Sequence, residues 1–296
     1  MEALFRADYS GDRADEALVE RAQQGKRTAL EALIRRHQDW IYNIALRMVG
    51  NPEDAADVTQ EVLIKLVTGL AKFERRSSFR TWVYRIAANH VLSMRRRPME
   101  RLFFSFDRHA ALIENLQDGD AATAQSSLEE QELLFQETKT GCLTGMLLCL
   151  ERRERIALIL STVFEASSEL GGELLEMTPE SYRQVLSRAR ARLGNFMNER
   201  CGLMSENNPC RCARKLPGAI RAGLVDPAKL RFNLPYLRSV RDFVAEKAPL
   251  VDAAVEVRLQ RVFRAQPMYR SPDFKRMVRS LLRRRDVGEV VDFRRR

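Results

Sequence analysis

Apolar residues recur every three or four positions along most of this chain, and that spacing restricts it to helices. Between Asp15 and Val49 the apolar set is Leu18, Ala22, Leu30, Leu33, Ile34, Ile41, Ile44, Ala45 and Met48, which gathers on one side of a helix with 3.6 residues per turn. The apolar–polar alternation and β-branched runs that mark strands are almost absent. Gly25 and Gly50 punctuate the run as helix ends. The stretch Asn51-Pro52-Glu53-Asp54 then starts a new helix. Asn51 can cap it, Pro52 suits the first helical position, and two carboxylates meet the positive end of the helix dipole. Val58, Val62, Leu63, Leu66 and Leu70 carry that helix on; a polar loop, KFERRSS, separates it from another that runs toward Pro98.

Beyond Pro98 the pattern weakens. The stretch around DRHAALIENLQDGDAATAQSSLEEQE is acidic and rich in small residues, and reads as a tether. Helical spacing returns from Leu128 to about Arg200. The sequence therefore predicts an all-α fold: helical domains at 15–98 and 128–204, a flexible linker at 99–127, and a mostly helical C-terminal extension at 205–296. In that extension Leu237, Val240, Phe243, Val244, Val251, Val255 and Leu259 form an apolar face that must pack on something.

Charge narrows the partners. A net charge of +10 points to nucleic acid first and an anionic membrane surface second. No apolar run of about 18 residues is present, so no transmembrane segment is expected. The N-terminus is acidic and lacks the apolar core of a signal peptide. With an odd cysteine count and no disulfide framework, the expected location is the cytoplasm. No nucleophile–base pair, phosphate-binding glycine loop or paired carboxylates stand out, and His37, His90 and His109 are dispersed, so no enzyme is expected.

The second block has the grammar of a helix-turn-helix. Ser167 or Ser168 can cap a short helix holding Leu170, Leu174 and Leu175; Met177-Thr178-Pro179-Glu180 breaks it, and Thr178 caps a second helix with Pro179 first in line. Tyr182, Val185, Leu186 and Ala189 form its packed side, with Arg183, Gln184, Ser187, Arg188, Arg190 and Arg192 facing elsewhere. In such a unit the second helix enters the major groove, where arginine suits guanine and phosphate and glutamine suits adenine. A plain helical hairpin with a solvated basic face has the same pattern.

Two longer stretches carry a resemblance. The run from ALVERAQQGK through NPEDAADVTQE to FRTWVYRIAANHVLSMRRR, followed by LERRERIALIL and ELGGELLEMTPESYRQVLSRARARL, resembles the bacterial extracytoplasmic-function (ECF) group of RNA polymerase sigma factors. The first stretch looks like the family's region 2 and the second like region 4. The resemblance implies a factor that binds core RNA polymerase, directs it to promoter DNA and helps open it. It implies that Asp57, Gln60, Glu61 and Lys65 dock on the polymerase; 57, 61 and 65 share one helical face. It implies that Phe79, Arg80, Tyr84, Arg85, Asn89, Arg95, Arg96 and Arg97 serve the −10 element, where aromatic faces stack unpaired bases and arginines follow the backbone. Phe79, Trp82, Val83 and Ile86 fit a core stripe equally well. Arg183, Gln184, Arg188 and Arg190 are the expected −35 contacts. Regulation would come from an anti-sigma factor or from the extension acting within the chain.

The sequence departs from the family in places. Gly171 stands where an apolar residue is usual, Val185 where a polar one is, and Glu165 replaces a common glycine. Two adjacent glycines, Gly171 and Gly172, cost a helix roughly 1–2 kcal/mol relative to alanine. These departures support a rival reading, a sigma-like protein that sequesters a partner. A helix-turn-helix regulator acting without polymerase is the other. Cys201, Cys210 and Cys212 could hold zinc if Cys149 or a carboxylate supplied a fourth ligand. Reduced cysteines in a capped turn, with no cofactor, are the favoured reading, and a redox-sensing thiol is a third.

Overall fold

The computed structural model describes residues 11–119, 128–232, 255–264 and 266–281. The first block contains α1 (Asp12–Gln23), α2 (Arg27–Val49), α3 (Pro52–Gly69), a 3-10 turn (Leu70–Lys72) and α4 (Phe79–Ser93). Next come α5 (Pro98–Leu102), α6 (Phe106–Asn115), α7 (Leu128–Leu148), α8 (Arg152–Thr162), α9 (Ser168–Leu174) and α10 (Pro179–Arg200). The extension supplies α11 (Cys212–Arg221), α12 (Val255–Arg264) and α13 (Lys275–Leu281). The all-α expectation holds: among the described residues there is only an isolated bridge between Cys201 and Cys210. No described helix is long and apolar enough to cross a membrane.

The expected punctuation does its work. The Asn51 side chain accepts from the Glu53 and Asp54 amides at 2.8 and 3.0 Å. Ser167 caps α9 through the Leu170 amide, and Thr178 caps α10 through the Ser181 amide. Gly25 and Gly50 adopt left-handed φ values of 82° and 75°.

The stretch read as a tether is in part built structure. Pro98 opens α5, and Ser105 caps α6 by accepting from the Arg108 amide. Local pattern hides this because the stabilising contacts are remote. Glu100, on α5, accepts from Arg152 at 2.8 Å and from Arg155 at 3.0 Å, both on α8. Arg155 also donates to the carbonyls of Leu147, Leu148, Leu150 and Met48. One buried guanidinium thus closes the ends of α2 and α7 together.

The two blocks share a continuous hydrophobic core rather than standing apart. Trp40 of α2 lies against Phe164 after α8, ring centroids 5.1 Å apart, and α4 packs on both α8 and α9. The extension packs on the blocks themselves. Leu259 and Phe263 of α12 are buried, and α12 lies on α8 and α10. The following segment crosses α2. Arg47 donates to the Pro267 carbonyl at 2.9 Å, Asn43 exchanges two hydrogen bonds with the Tyr269 backbone, and Asp39 accepts from Ser271. Arg264 ties α12 to the Thr162 carbonyl at 3.0 Å. Of the apolar face expected in the extension, Leu237 to Val251 lies outside the described residues.

Candidate polymerase and DNA interfaces

On α3 the helical period separates two faces. Val58, Val62 and Leu66 are fully buried, while Asp57, Gln60, Glu61 and Lys65 are exposed. The stripe is braced from beneath by His90 of α4. Lys65 Nζ lies 2.8 Å from His90 Nδ1, and Glu61 lies 3.1 Å from His90 Nε2. Burial, then the neighbouring Lys65, pushes the His90 pKa down. Lys65, which has no lone pair to accept with, donates to His90 Nδ1, while Nε2 faces the Glu61 carboxylate without the geometry of a hydrogen bond. Arg97 lies 3.5 Å from Glu61.

The eight residues assigned to the −10 element divide in two. Phe79 and Tyr84 are 2% and 1% exposed, inside the bundle. Phe79 packs on His37 and Phe73, and the Tyr84 hydroxyl lies 3.4 Å from His37 Nδ1. His37 in turn contacts Asp15 at 2.9 Å. Burial raises the Asp15 carboxyl, but hydrogen bonds from His37 and Arg36 outweigh it and hold the pKa below the ordinary range. Arg80 is buried and paired with Asp12 at 3.1 Å. These three side chains shape the bundle; they do not present themselves to a base. Trp82, half-buried, lies against Phe73 and Phe79. Arg95 and Arg96 are exposed, and Arg97 leans on Asp54 and Glu61.

Arg85 and Asn89 are turned toward the second block. Arg85 meets Glu173 of α9 at 3.1 Å, and the Asn89 amide donates to Glu176 in the turn after α9 at 3.1 Å. Glu165 and Glu176 bracket α9, both at positive φ, 57° and 54°. Glu165 thus adopts the conformation that the usual glycine would take without strain.

In α10, Arg183, Gln184 and Arg188 are exposed, but Arg190 is half-buried and donates to Ser161 at 3.2 Å. Arg190 therefore braces α10 on α8. Val185 is half-buried against the core. The paired glycines have a packing reason. A Cβ on Gly171 would run into the ring of Tyr182, and one on Gly172 would lie 2.8 Å from the Met177 carbonyl. Tyr182 is fully buried and donates to the Ala157 carbonyl at 2.9 Å. Bulk lost on α9 is restored from α10, and the helix-turn-helix geometry stands.

All five cysteines are free thiols, and Cys149 stands apart from Cys201, Cys210 and Cys212. Cys149 donates to the Gly145 carbonyl and packs with Phe103 and Leu148. Cys142, on α7, is the thiol that lines a cavity together with Cys210 and Cys212. Cysteine spacing carried no signal for it.

A helical bundle with an exposed acidic stripe, joined to a helix-turn-helix with an exposed basic edge, defines a two-module protein of transcription. Residues 33–100 match the family model described as Sigma-70 region 2. The ECF RNA polymerase sigma-E factor of Escherichia coli is 30% identical over 185 residues, which span 61% of this chain and 93% of that protein. The RNA polymerase sigma-H factor of Pseudomonas aeruginosa is 40% identical over a shorter stretch of 88 residues, 28% of this chain and 46% of that protein. A solved structure described as "Structure of CnrH in complex with the cytosolic domain of CnrY" covers 62% of this chain and 97% of that one, at 22% identity and a TM-score of 0.44. The chain belongs to the ECF RNA polymerase sigma factors.

Proposed function

We propose that this sigma factor docks core RNA polymerase through the α3 stripe and directs it to promoters in a form that must open before the −10 element is read. One observation carries the reading. Asp57, Gln60, Glu61 and Lys65 stand exposed, while Arg85 and Asn89 of α4 are held by Glu173 and Glu176. A docking surface is available, and the adjoining DNA surface is folded against the second block.

The extension is read as the regulator within the chain. Its segment 267–271 bonds to α2, and Arg264 of α12 bonds to the end of α8. A strap anchored on both blocks favours the closed arrangement and lets polymerase or a regulator bias its release. Residues 15–98 and 128–204 act as the polymerase/−10 and −35 modules, and 205–296 restrain them. Arg183, Gln184 and Arg188 supply the −35 contacts; Arg95 and Arg96 follow the melted strand.

The test is core-polymerase binding and run-off transcription with the full chain, compared with Asp57→Arg and Glu61→Arg. These exposed substitutions leave the buried face of α3 untouched. Loss of polymerase binding and of transcription, with helix content retained, supports the reading. Unchanged duplex DNA binding with no dependence on polymerase in either form would favour the regulator that acts alone.

A further inference from the structure

Between α6, α7 and α11 lies a cavity of about 70 Å³. A single water needs only ~10–15 Å³ of such space, so the cavity has room for a small organic molecule. Phe103, Leu112 and Leu116 line it from the linker, Thr138 and Gly141 from α7, and Val225 and Phe232 from the extension. It therefore joins three parts of the chain that the sequence keeps apart. None of Asp57, Glu61, Arg183 or Arg188 lines it, so it is separate from both candidate interfaces.

Two glycines one turn apart on α7 serve different ends. A Cβ on Gly145 would meet the His109 ring at 2.7 Å, so that glycine makes room for a packed side chain. A Cβ on Gly141 would meet only Phe232, at 4.0 Å. Glycine weakens the middle of a helix. At Gly141 no described side chain takes up the room, and the room is part of the cavity.

The lining has a chemistry of one sign. It is mostly apolar, and its only charged side chains are Lys215 and Arg231. Lys215 donates to the Leu116 carbonyl at 2.7 Å and pairs with Asp118 at 2.9 Å, which leaves its ammonium one further proton to donate. Arg231 is exposed, and its amide donates to the buried carboxylate of Glu137 at 2.6 Å, which fixes the backbone that carries the guanidinium. His109 is buried and neutral, since burial holds its pKa down to about 4, and its Nδ1 has no hydrogen-bond partner. Cys142, Cys210 and Cys212 also reach the lining, but among the described residues no three His, Cys, Asp or Glu side chains are grouped to hold a metal ion. A neighbouring cavity that shares Lys215 carries Glu114, Asp118 and Arg200, a mixed set. An apolar interior edged only by cations matches an anion with an apolar body.

We propose that this cavity binds a small carboxylic acid with an apolar body, its carboxylate meeting Lys215 and Arg231 and its body lying against Gly141, Phe103 and Phe232. Such a ligand touches the linker, the second block and the extension together. It binds the assembled chain and stabilises that form by mass action. The inference concerns binding alone and does not rest on the docking reading above.

The full chain is titrated by calorimetry with phenylacetate and hexanoate, and with phenethylamine and hexylamine as matched cations. Saturable binding of one acid per chain is expected, roughly tenfold or more tighter than the matching amine, with a melting temperature that rises with acid concentration. Gly141→Leu places a side chain in the cavity and favours the helix. It should abolish acid binding without lowering the melting temperature. Lys215→Gln with Arg231→Gln should erase the preference for acid over amine, a second reading that leaves α7 untouched. Absence of saturable binding by either acid, as when the chain fills the space itself, overturns the proposal. So does equal affinity for acid and amine, acid binding that survives Gly141→Leu, or a preference for acid that survives the double substitution.

Discussion

Glu100 of α5 stands between Arg152 and Arg155 of α8, 2.8 Å from the first and 3.0 Å from the second. It is 3% exposed, and it joins the end of the first block to the start of the second. Removing one member of a buried ion group leaves uncompensated charge and costs about 3–5 kcal/mol. Because Arg155 keeps four carbonyl partners, Glu100→Gln should lose about 3 kcal/mol, the lower end of that range, in denaturant unfolding.

The same residue predicts an acid sensitivity. Burial alone would raise its carboxyl, but hydrogen bonds from Arg152 and the Arg97 amide, with the charge of Arg155, hold the pKa below the ordinary glutamate range. Its stabilisation is therefore complete above pH 4.5 and lost as pH falls through the folded value. Glu100→Gln should flatten the acid limb of the stability–pH curve. A mutant limb as steep as the wild type would place the sensitivity elsewhere.

Releasing α4 from α9 should cost little and change function. Exposed pairs such as Arg85–Glu173 contribute roughly 0–1 kcal/mol. Glu176 also occupies left-handed space, which costs a non-glycine residue about 1 kcal/mol. Glu173→Ala with Glu176→Gly should leave the melting temperature within a few degrees and raise transcription from a fixed amount of polymerase. Lower transcription with intact folding would mean that the contact assists and does not restrain.

Gly171 and Tyr182 exchange volume across α9 and α10. Gly171→Ala drives a methyl into the Tyr182 ring, and such overpacking costs about 1–3 kcal/mol. The expected result is a destabilised second block, weaker −35 DNA protection and an unchanged affinity for core polymerase. Equal loss of both activities would show that the two blocks unfold as one.

The strap should be visible in hydrogen exchange. The Tyr269 amide is bound to Asn43 and the Ser271 amide to Asp39. Asn43→Ala should speed exchange at Tyr269 by tenfold or more, since each 1.4 kcal/mol of local opening is a factor of about ten. No change there would separate the strap from the α2 contact.

Much of this was legible in the sequence, for identifiable reasons. Asn51, Ser167 and Thr178 cap through amides two or three residues away, so a local reading finds them. That 57, 61 and 65 share one face of α3 follows from period; a docking role for it comes only from the family resemblance. The α5–α6 segment escaped because Glu100 finds its partners on α8. Phe79 and Tyr84 have the composition of a stacking platform and the surroundings of a core, and only His37 and Phe73 decide between them. Gly171 read as a weakness because its complement, Tyr182, lies in the next helix. Nothing in its own stretch marks Cys142 as a neighbour of Cys210 and Cys212.

The bonds between Asn43 and Tyr269 bridge 226 residues of chain. At about 5–20 residues per second of ribosomal synthesis, Asn43 precedes its partner by roughly 10–45 s. During that interval Asn43 and Arg47, buried in the finished molecule, lack the carbonyls that satisfy them. Each newly made molecule therefore passes through a period in which the helices carrying the α3 stripe have been synthesised and the segment that bonds to α2 has not.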